Sequence, residues 1–332
     1  MINNWPKITI AIPTFNESDV VDSCLKSIFK QKYSGELEVF IIDDNSTDDT
    51  VAKAKKYPVT ILINGRRDLL YGKKIGLDNA TGEFFMYLDA DIQLLGSFWF
   101  NKMVEPLLAD ESVIASFTKY SSFSSASPLN KYITLDYLQR DPLFIWLTPS
   151  LEQVVVEKIK TWKICNYTIN RMLPTGLCMY RKKSLVEIIG QRHKFVELDV
   201  IVLLVKHGHS RFAYVPNAKM HHPFITSLSE LAFKRSRNLH TMYFNQPDAR
   251  EWTWIDWSDP FQLLKLFIWV IYANSFVLPT IVGLMKSIYY KTWVGLYEPV
   301  FVWLTTNLIL ITFLTTQEGR KMLSKSFVWN QK

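Results

Sequence analysis

The stretch 82–93 constrains this chain more than any other. It reads as a short apolar, aromatic strand, Phe84 to Leu88, that ends in Asp89 and Asp91 with the amide of Gln93 two positions on. A buried strand that delivers acids at its C-terminal tip is where an open α/β sheet sets a ligand. Oxygen ligands at such a tip suit a hard divalent cation, Mg2+ or Mn2+, bridging to phosphate. A lone Asp-x-Asp after a strand is more often a plain acidic turn, so the pattern around it must decide.

That pattern is a strand–helix alternation. Residues 7–12 read as a buried parallel strand, closed by Pro13, Thr14, Phe15, Asn16 and Glu17, with Ser18 placed to cap a helix bearing Val21, Cys24, Leu25 and Ile28. A second strand at 37–42 runs into the acidic segment 43–50. A third at 59–63 leads to a loop with Arg66 and Arg67, and a helix at 72–80 precedes the 82–93 stretch. Such alternation predicts a doubly wound sheet, and two of its strands end in acids at the same edge. Asp48 and Asp49 read as helix caps. Asp44 could cap as well, or accept from a base N–H or a ribose hydroxyl. The absence of Gly-x-Gly-x-x-Gly and of a Walker Lys-Ser/Thr argues against dinucleotide and P-loop sites.

Four segments together resemble family-2 glycosyltransferases: Ile-Pro-Thr-Phe-Asn-Glu (12–17), Ile-Asp-Asp-Asn-Ser-Thr-Asp (42–48), Ala-Thr-Gly-Glu (80–83) and Leu-Asp-Ala-Asp (88–91). The resemblance implies a GT-A fold, a Rossmann-like α/β domain with a nucleotide-sugar half followed by an acceptor half. It implies that Pro13, Thr14, Phe15 and Glu17 line the nucleotide pocket, that Asp44 contacts the base, and that Asp89 and Asp91 hold the metal and diphosphate. Asp-Ala-Asp-Ile-Gln (89–93) is similar to the corresponding string of dolichyl- and polyprenyl-phosphate sugar synthases, which would add Gln93 to the metal shell.

Further on, 98–108 reads as a helix, 113–118 as a strand and 121–127 as a Ser-rich loop. The apolar segment 132–156 is either core or a surface for lipid. Residues 173–181 resemble the strand that floors the family's acceptor site, with Gly176 allowing close approach. In register with the family's acidic acceptor motif stand Glu197, at the position of the catalytic acid, and Asp199; Val196 replaces the first acid of the usual pair. A carboxylate there would serve as general base toward an acceptor hydroxyl, and is needed less if the acceptor is a phosphate. A helix N-terminal acid favoured by the macrodipole is the plainer reading of Glu197. His222 falls where the family often has a His near the diphosphate.

The C-terminal third has a different character. Residues 266–285 carry no charge and 293–316 carry only Glu298, so each is long enough to span about 30 Å of hydrocarbon. With seven residues between them they predict a C-terminal transmembrane hairpin, Asn274 and Pro279 being tolerable inside it. Lys265, Arg320, Lys321, Lys325 and Lys332 on one side outnumber Lys286 and Lys291 on the other, which puts both termini and the catalytic domain in the cytoplasm. Before the spans, 227–244 reads as an amphipathic helix with Lys234, Arg235 and Arg237, placed for an acceptor phosphate or an anionic leaflet, and Trp252, Trp254 and Trp257 follow.

The domain expectation is therefore 1–222 for the GT-A domain, 223–262 for an interfacial segment and 263–332 for two spans and a tail. A net charge of +7 asks for an anionic partner. The cations cluster beside the apolar segments and not in a groove with stacking aromatics, which argues against nucleic acid. Cys24, Cys165 and Cys178 are too few and too scattered for a disulfide framework. The expected activity is inverting, metal-dependent transfer from a nucleotide-diphosphate sugar to a polyprenyl phosphate or lipid-linked saccharide. The alternatives are a subunit of a polysaccharide synthase and exporter, which would have to form a homo-oligomer or recruit partners to line a pore, and a non-catalytic scaffold.

Overall fold

The computed structural model describes residues 5–244 and 250–321. They form two compact units, one drawn from Met1–Ser121 with Ser150–His222, the other from Ser122–Pro149 with Pro223–Lys332.

The first unit opens with β1 (Ile8–Thr14), α1 (Val21–Phe29), β2 (Leu37–Asp43), α2 (Thr50–Ala54), β3 (Thr60–Ile63), α3 (Leu69–Asn79) and β4 (Phe84–Tyr87). β1 pairs in parallel with β2 and β4, and β2 with β3. Every residue of β1 is buried, as a parallel strand covered on both faces requires, and its sequence is accordingly a near-continuous apolar run. α3 approaches β1 so closely that a Cβ built on Gly76 would lie 2.3 Å from the Ala11 Cβ. Glycine is needed there for space, not for its backbone freedom.

Next come β5 (Gln93–Leu94), α4 (Trp99–Ala109) and β6 (Val113–Phe117). The chain gives α5 (Pro128–Ile133) and α6 (Pro142–Leu147) to the second unit. It resumes the first with α7 (Leu151–Val154), β7 (Val155–Lys158), β8 (Lys163–Asn166), β9 (Cys178–Arg181), α8 (Lys182–Ile189), α9 (Glu197–Lys206), β10 (Arg211–Tyr214) and β11 (Met220–His221). β9 inserts antiparallel between β4 and β6, and β10 runs parallel to β6. One nine-stranded sheet results, in the order β3-β2-β1-β4-β9-β6-β10-β8-β7, with β5 and β11 as a separate two-stranded ribbon. This is a mixed α/β sheet.

One local expectation changes and one holds in part, since Asp49 stands at the N-cap of α2 without a side-chain cap hydrogen bond. Ser18 does not cap α1, which starts at Val21 without a side-chain cap; its N–H instead donates to Asp48 Oδ2 at 3.1 Å. Asp48 serves the start of α2, accepting from the Thr50 amide at 3.0 Å, and hydrogen bonds from Thr50 first hold its carboxyl down at about 2.

The second unit adds α10 (Leu228–Leu239), a π-helical turn (His240–Phe244), α11 (Pro260–Ser275), α12 (Val277–Tyr289), a 3-10 segment (Trp293–Tyr297) and α13 (Glu298–Thr315). Ser227 caps α10, accepting from the Glu230 amide at 3.1 Å. Leu129, Tyr132 and Ile133 pack with Leu231, Val294 and Phe301 in one cluster, and Leu143 with Trp269, Ala273 and Val302 in another.

The first apolar run is not one straight helix. α11 and α12 meet at an angle of 85°, with Phe276 between them at φ 54°. Pro279 accounts for the break: in a continuous helix its ring would press on the Ser275 carbonyl, and it has no N–H to offer that carbonyl. A straight two-helix hairpin is therefore not what forms. Among the described residues one helix, Trp293–Thr315, is long and apolar enough to cross a bilayer. Glu298 is the one acid of the second apolar run. It is buried, accepting from Tyr132 Oη at 2.7 Å and Tyr272 Oη at 3.0 Å and pairing with Lys286. Lys325 and Lys332, used in the orientation argument, lie outside the described residues.

The α3–β1 contact gives a direct test. Gly76→Ala should destabilise the fold by about 1–3 kcal/mol, the usual penalty for forcing atoms into a packed contact, seen as a lower thermal midpoint. An unchanged midpoint would mean that α3 can slide away from β1.

Candidate active site

The C-terminal tips of β1, β2 and β4 lie at one edge of the sheet. Strand pairing carries on past the assigned ends, with Asp44 N–H donating to Thr14 O and Leu88 N–H to Ala11 O, each at 2.9 Å. Side chains then stitch the loops 13–17 and 43–50 into one rim. Thr47 N–H donates to Asn16 Oδ1 at 2.8 Å, Asn16 N–H to Ser46 Oγ at 3.0 Å and Glu17 N–H to Thr50 Oγ1 at 2.7 Å. Asn16 and Asn45 take left-handed backbone at φ 54° and 60°, a conformation that asparagine tolerates through its short polar side chain.

Within this rim Pro13 and Thr14 are buried, whereas Phe15 is exposed with the Arg67 guanidinium 5.3 Å from its ring centroid. Asp44 is buried and its Oδ1 accepts the Arg67 N–H at 2.6 Å. It does not cap a helix, so the alternative left open by spacing falls away.

The centre of the site is a residue that the sequence pattern did not single out. Lys73 on α3 has only 1% of its side chain exposed and hydrogen-bonds Glu197 Oε1. Its Nζ lies 3.6 Å from Asp89 Oδ1 and 3.9 Å from the centroid of the Tyr87 ring. Burial by itself would lower its pKa; Glu197 first and Asp89 second more than offset that, so the ammonium is held above the ordinary 10.5. Asp89 Oδ1 is buried, with that ammonium as its neighbour.

Glu197 is delivered to this point by the first residues of α9. Phe195 N–H donates to Leu70 O at 3.0 Å and the Phe195 ring packs edge-on to Tyr87 at 5.4 Å. Tyr87 Oη donates to Gly176 O, and burial above all, with Glu197 next, keeps that phenol protonated. A Cβ on Gly176 would meet the Glu197 Cβ at 3.5 Å, ordinary contact, so the position adjoins the acid without strictly demanding glycine. Asp199, two residues on, is buried on the same helix.

Asp91 meets a histidine. Its Oδ2 lies 3.6 Å from His222 Nε2, and the β5–β11 ribbon sets Gln93 opposite His221. His221 Nδ1 is 3.0 Å from Ser121 O, and since a carbonyl only accepts, that nitrogen carries the proton. Burial, more than any neighbour, holds this imidazole below its ordinary value. Among the described residues no three His, Cys, Asp or Glu converge into a metal cage. Asp89, Asp91, Gln93 and His222 would fit a hard divalent ion only as a partial shell that other oxygens complete, and Asp89 Oδ1 already faces the Lys73 ammonium at 3.6 Å.

Lys234, Arg235 and Arg237 belong to the second unit. There Lys234 pairs with Glu230 at 2.9 Å and donates to Phe224 O, Arg235 pairs with the buried Asp141, and Arg237 is exposed.

Residues 9–187, more than half of the chain, match the family model described as glycosyl transferase family 2. The chain belongs to this family. A GalNAc(5)-diNAcBac-PP-undecaprenol beta-1,3-glucosyltransferase of Campylobacter jejuni is 37% identical over 97 residues, 27% of this chain and 31% of that protein. A dolichol-phosphate mannosyltransferase of Pyrococcus furiosus is 32% identical over 92 residues, 26% of each chain. The chain thus spans less than a third of the length of either relative. In structure it is similar to the mannosyltransferase PcManGT of Pyrobaculum calidifontis, solved with GDP-Man and Mn2+, at 17% identity and a TM-score of 0.49 over 99% of this chain and 82% of that one.

The Lys73 contacts predict a signed pH effect. Lys73→Met should destabilise by more than the roughly 1 kcal/mol of an exposed pair and by less than the about 3–5 kcal/mol seen when a fully buried pair loses one partner, since the carboxylates of Asp89 and Glu197 are 38% and 22% exposed. Because the folded-state pKa is raised, this contribution is complete below 10.5 and fades as the pH climbs through the folded value. Urea unfolding across pH should show the gap between wild type and variant closing only in alkali; a gap that closes near neutrality contradicts the pairing.

Proposed function

We propose that this chain is a membrane-bound, metal-dependent, inverting glycosyltransferase that moves a sugar from a nucleotide-diphosphate donor to a lipidic acceptor, a polyprenyl phosphate or lipid-linked saccharide. The observation that carries the reading is the buried Lys73 ammonium, which joins Asp89 at the tip of β4 to Glu197 at the start of α9. It is supported by family membership and by relatives whose names include undecaprenol- and dolichol-linked substrates.

In this reading Phe15 and Arg67 bracket the base. Asp44, with Oδ1 engaged by the Arg67 amide, presents Oδ2 to a base N–H or a ribose hydroxyl. Asp89, Asp91, Gln93 and His222 hold a Mg2+ or Mn2+ ion, which when bound offsets charge on the departing nucleotide diphosphate. Lys73 keeps a permanent positive charge beside the same group. Glu197 is the candidate base, and Gly176 and Tyr87 shape the acceptor side next to it. To take a proton, Glu197 would exchange its Lys73 partner for the incoming hydroxyl; a phosphate acceptor, already an anion, would spare it that step. Asp199, buried behind it, is the weaker candidate.

Nucleotide release by the purified full chain, assayed with UDP-, GDP- and dTDP-sugars in Mn2+ and polyprenyl phosphate, tests the reading. At least one donor should turn over, and Asp91→Ala should lose on the order of 100-fold, as removal of a charge-stabilising group does. Wild-type turnover in Asp91→Ala sinks the metal assignment. With the productive pair in hand, Glu197→Gln should lower kcat by about 10²–10⁴ if the acceptor is a hydroxyl and far less if it is a phosphate.

A further inference from the structure

We infer that the helical unit lies in one leaflet of a phospholipid bilayer without crossing it; this rests on the membrane association proposed above. The bent pair contributes no span. α11 has 16 residues and α12 has 13, about 24 and 20 Å as helices against a hydrocarbon layer of about 30 Å. The 85° bend prevents their lengths from adding along one axis.

The longer helix has the length but not the company. Leu231 near the start of α10 shares a cluster with Phe301, and Phe244, thirteen positions later, packs its ring at 5.2 Å on Phe313, twelve positions after Phe301. α10 and the turn that follows it therefore run alongside most of α13. If α13 crossed the bilayer it would draw α10 in with it, and α10 carries Glu230, Lys234, Arg235 and the exposed Arg237. A basic side chain at the bilayer centre costs about 2.5–3.5 kcal/mol. Lying in the plane, the same pair keeps α10 at headgroup level, where the exposed Arg237 faces anionic lipid.

An in-plane unit still needs an apolar underside. Phe261 and Phe267 on α11, Met285 and Ile288 on α12 and Leu314 on α13 are each more than half exposed. At the α12–α13 turn Tyr289 and Trp293 are exposed beside Lys291, a composition that anchors at an interface. A two-span hairpin would put that turn on the far side of the membrane.

Single cysteines decide the matter, the native Cys24, Cys165 and Cys178 being buried. The full chain carrying Lys56→Cys, Lys291→Cys or Arg320→Cys is expressed in bacterial cells, and its association with the membrane is first checked by flotation. A membrane-impermeant maleimide is then applied to spheroplasts and to inverted inner-membrane vesicles. All three cysteines should remain unlabelled in spheroplasts, with a periplasmic control labelled, and Lys56→Cys and Arg320→Cys should react in inverted vesicles. Labelling of Lys291→Cys in spheroplasts would restore the two-span hairpin and overturn the inference; labelling of Arg320→Cys there would show a single crossing and overturn it equally. Failure to float removes the membrane association itself, a separate outcome from either.

Discussion

A buried ammonium ion organises the catalytic unit. Lys73 cannot be buried alone, because moving an unpaired charge out of water costs several kcal/mol. Its position is tolerable only where Asp89, Glu197 and the face of Tyr87 meet around it. That demand ties three separate pieces of chain together. β4 supplies Tyr87 and the acid just beyond it, α3 supplies the lysine, and α9 must begin at the same point to supply Glu197. The Gly76 contact that seats α3 on β1 and the Phe195–Leu70 hydrogen bond that seats the start of α9 serve this convergence. Two carboxylates brought this close together need fixed positive charge beside them, and here it is built into the fold.

The helical unit follows a different logic, with several polar groups bonded inside it and part of its apolar surface exposed. Glu298 is surrounded by Tyr132, Tyr272 and Lys286, and Asn307 donates to Asn274 at 3.0 Å. Gly283 and Gly295 let α12 and the 3-10 segment touch backbone to backbone, since a Cβ on Gly283 would fall 2.7 Å from Gly295 O. Close backbone packing with internally bonded polar groups is how helices settle in lipid, where neighbouring tails give no hydrophobic push.

How much of this was legible in the sequence varied with the range of the interaction. β1, β2 and β4, and the acids that end β2 and follow β4, could be read from local pattern, because a strand covered on both faces must be a near-continuous apolar run. Asp44 was ambiguous by spacing, and its Arg67 contact shows that it does not cap. Lys73 was invisible for another reason: its partner is 124 residues away, and the two meet only because β9 inserts between β4 and β6. The available signal was a lysine pair flanked by Gly72 and Gly76 on a helix that packs against the sheet, a poor place for unpaired charge. The first apolar run departed from its expectation in shape. Its composition was read as a span, while the effect of Pro279 on the Ser275 carbonyl, a purely local rule, decided the shape.

We propose that the edge formed by Asp44, Asp89 and Asp91 holds a nucleotide diphosphate with a divalent ion. Calorimetric titration of the full chain with UDP and GDP, with and without Mn2+, addresses it directly. At least one nucleotide should bind, Mn2+ should tighten that binding tenfold or more, about 1.4 kcal/mol or greater, and Asp89→Asn should remove most of the Mn2+ effect. Binding that is indifferent to Mn2+ and to Asp89→Asn, or no binding of either nucleotide, would contradict the account.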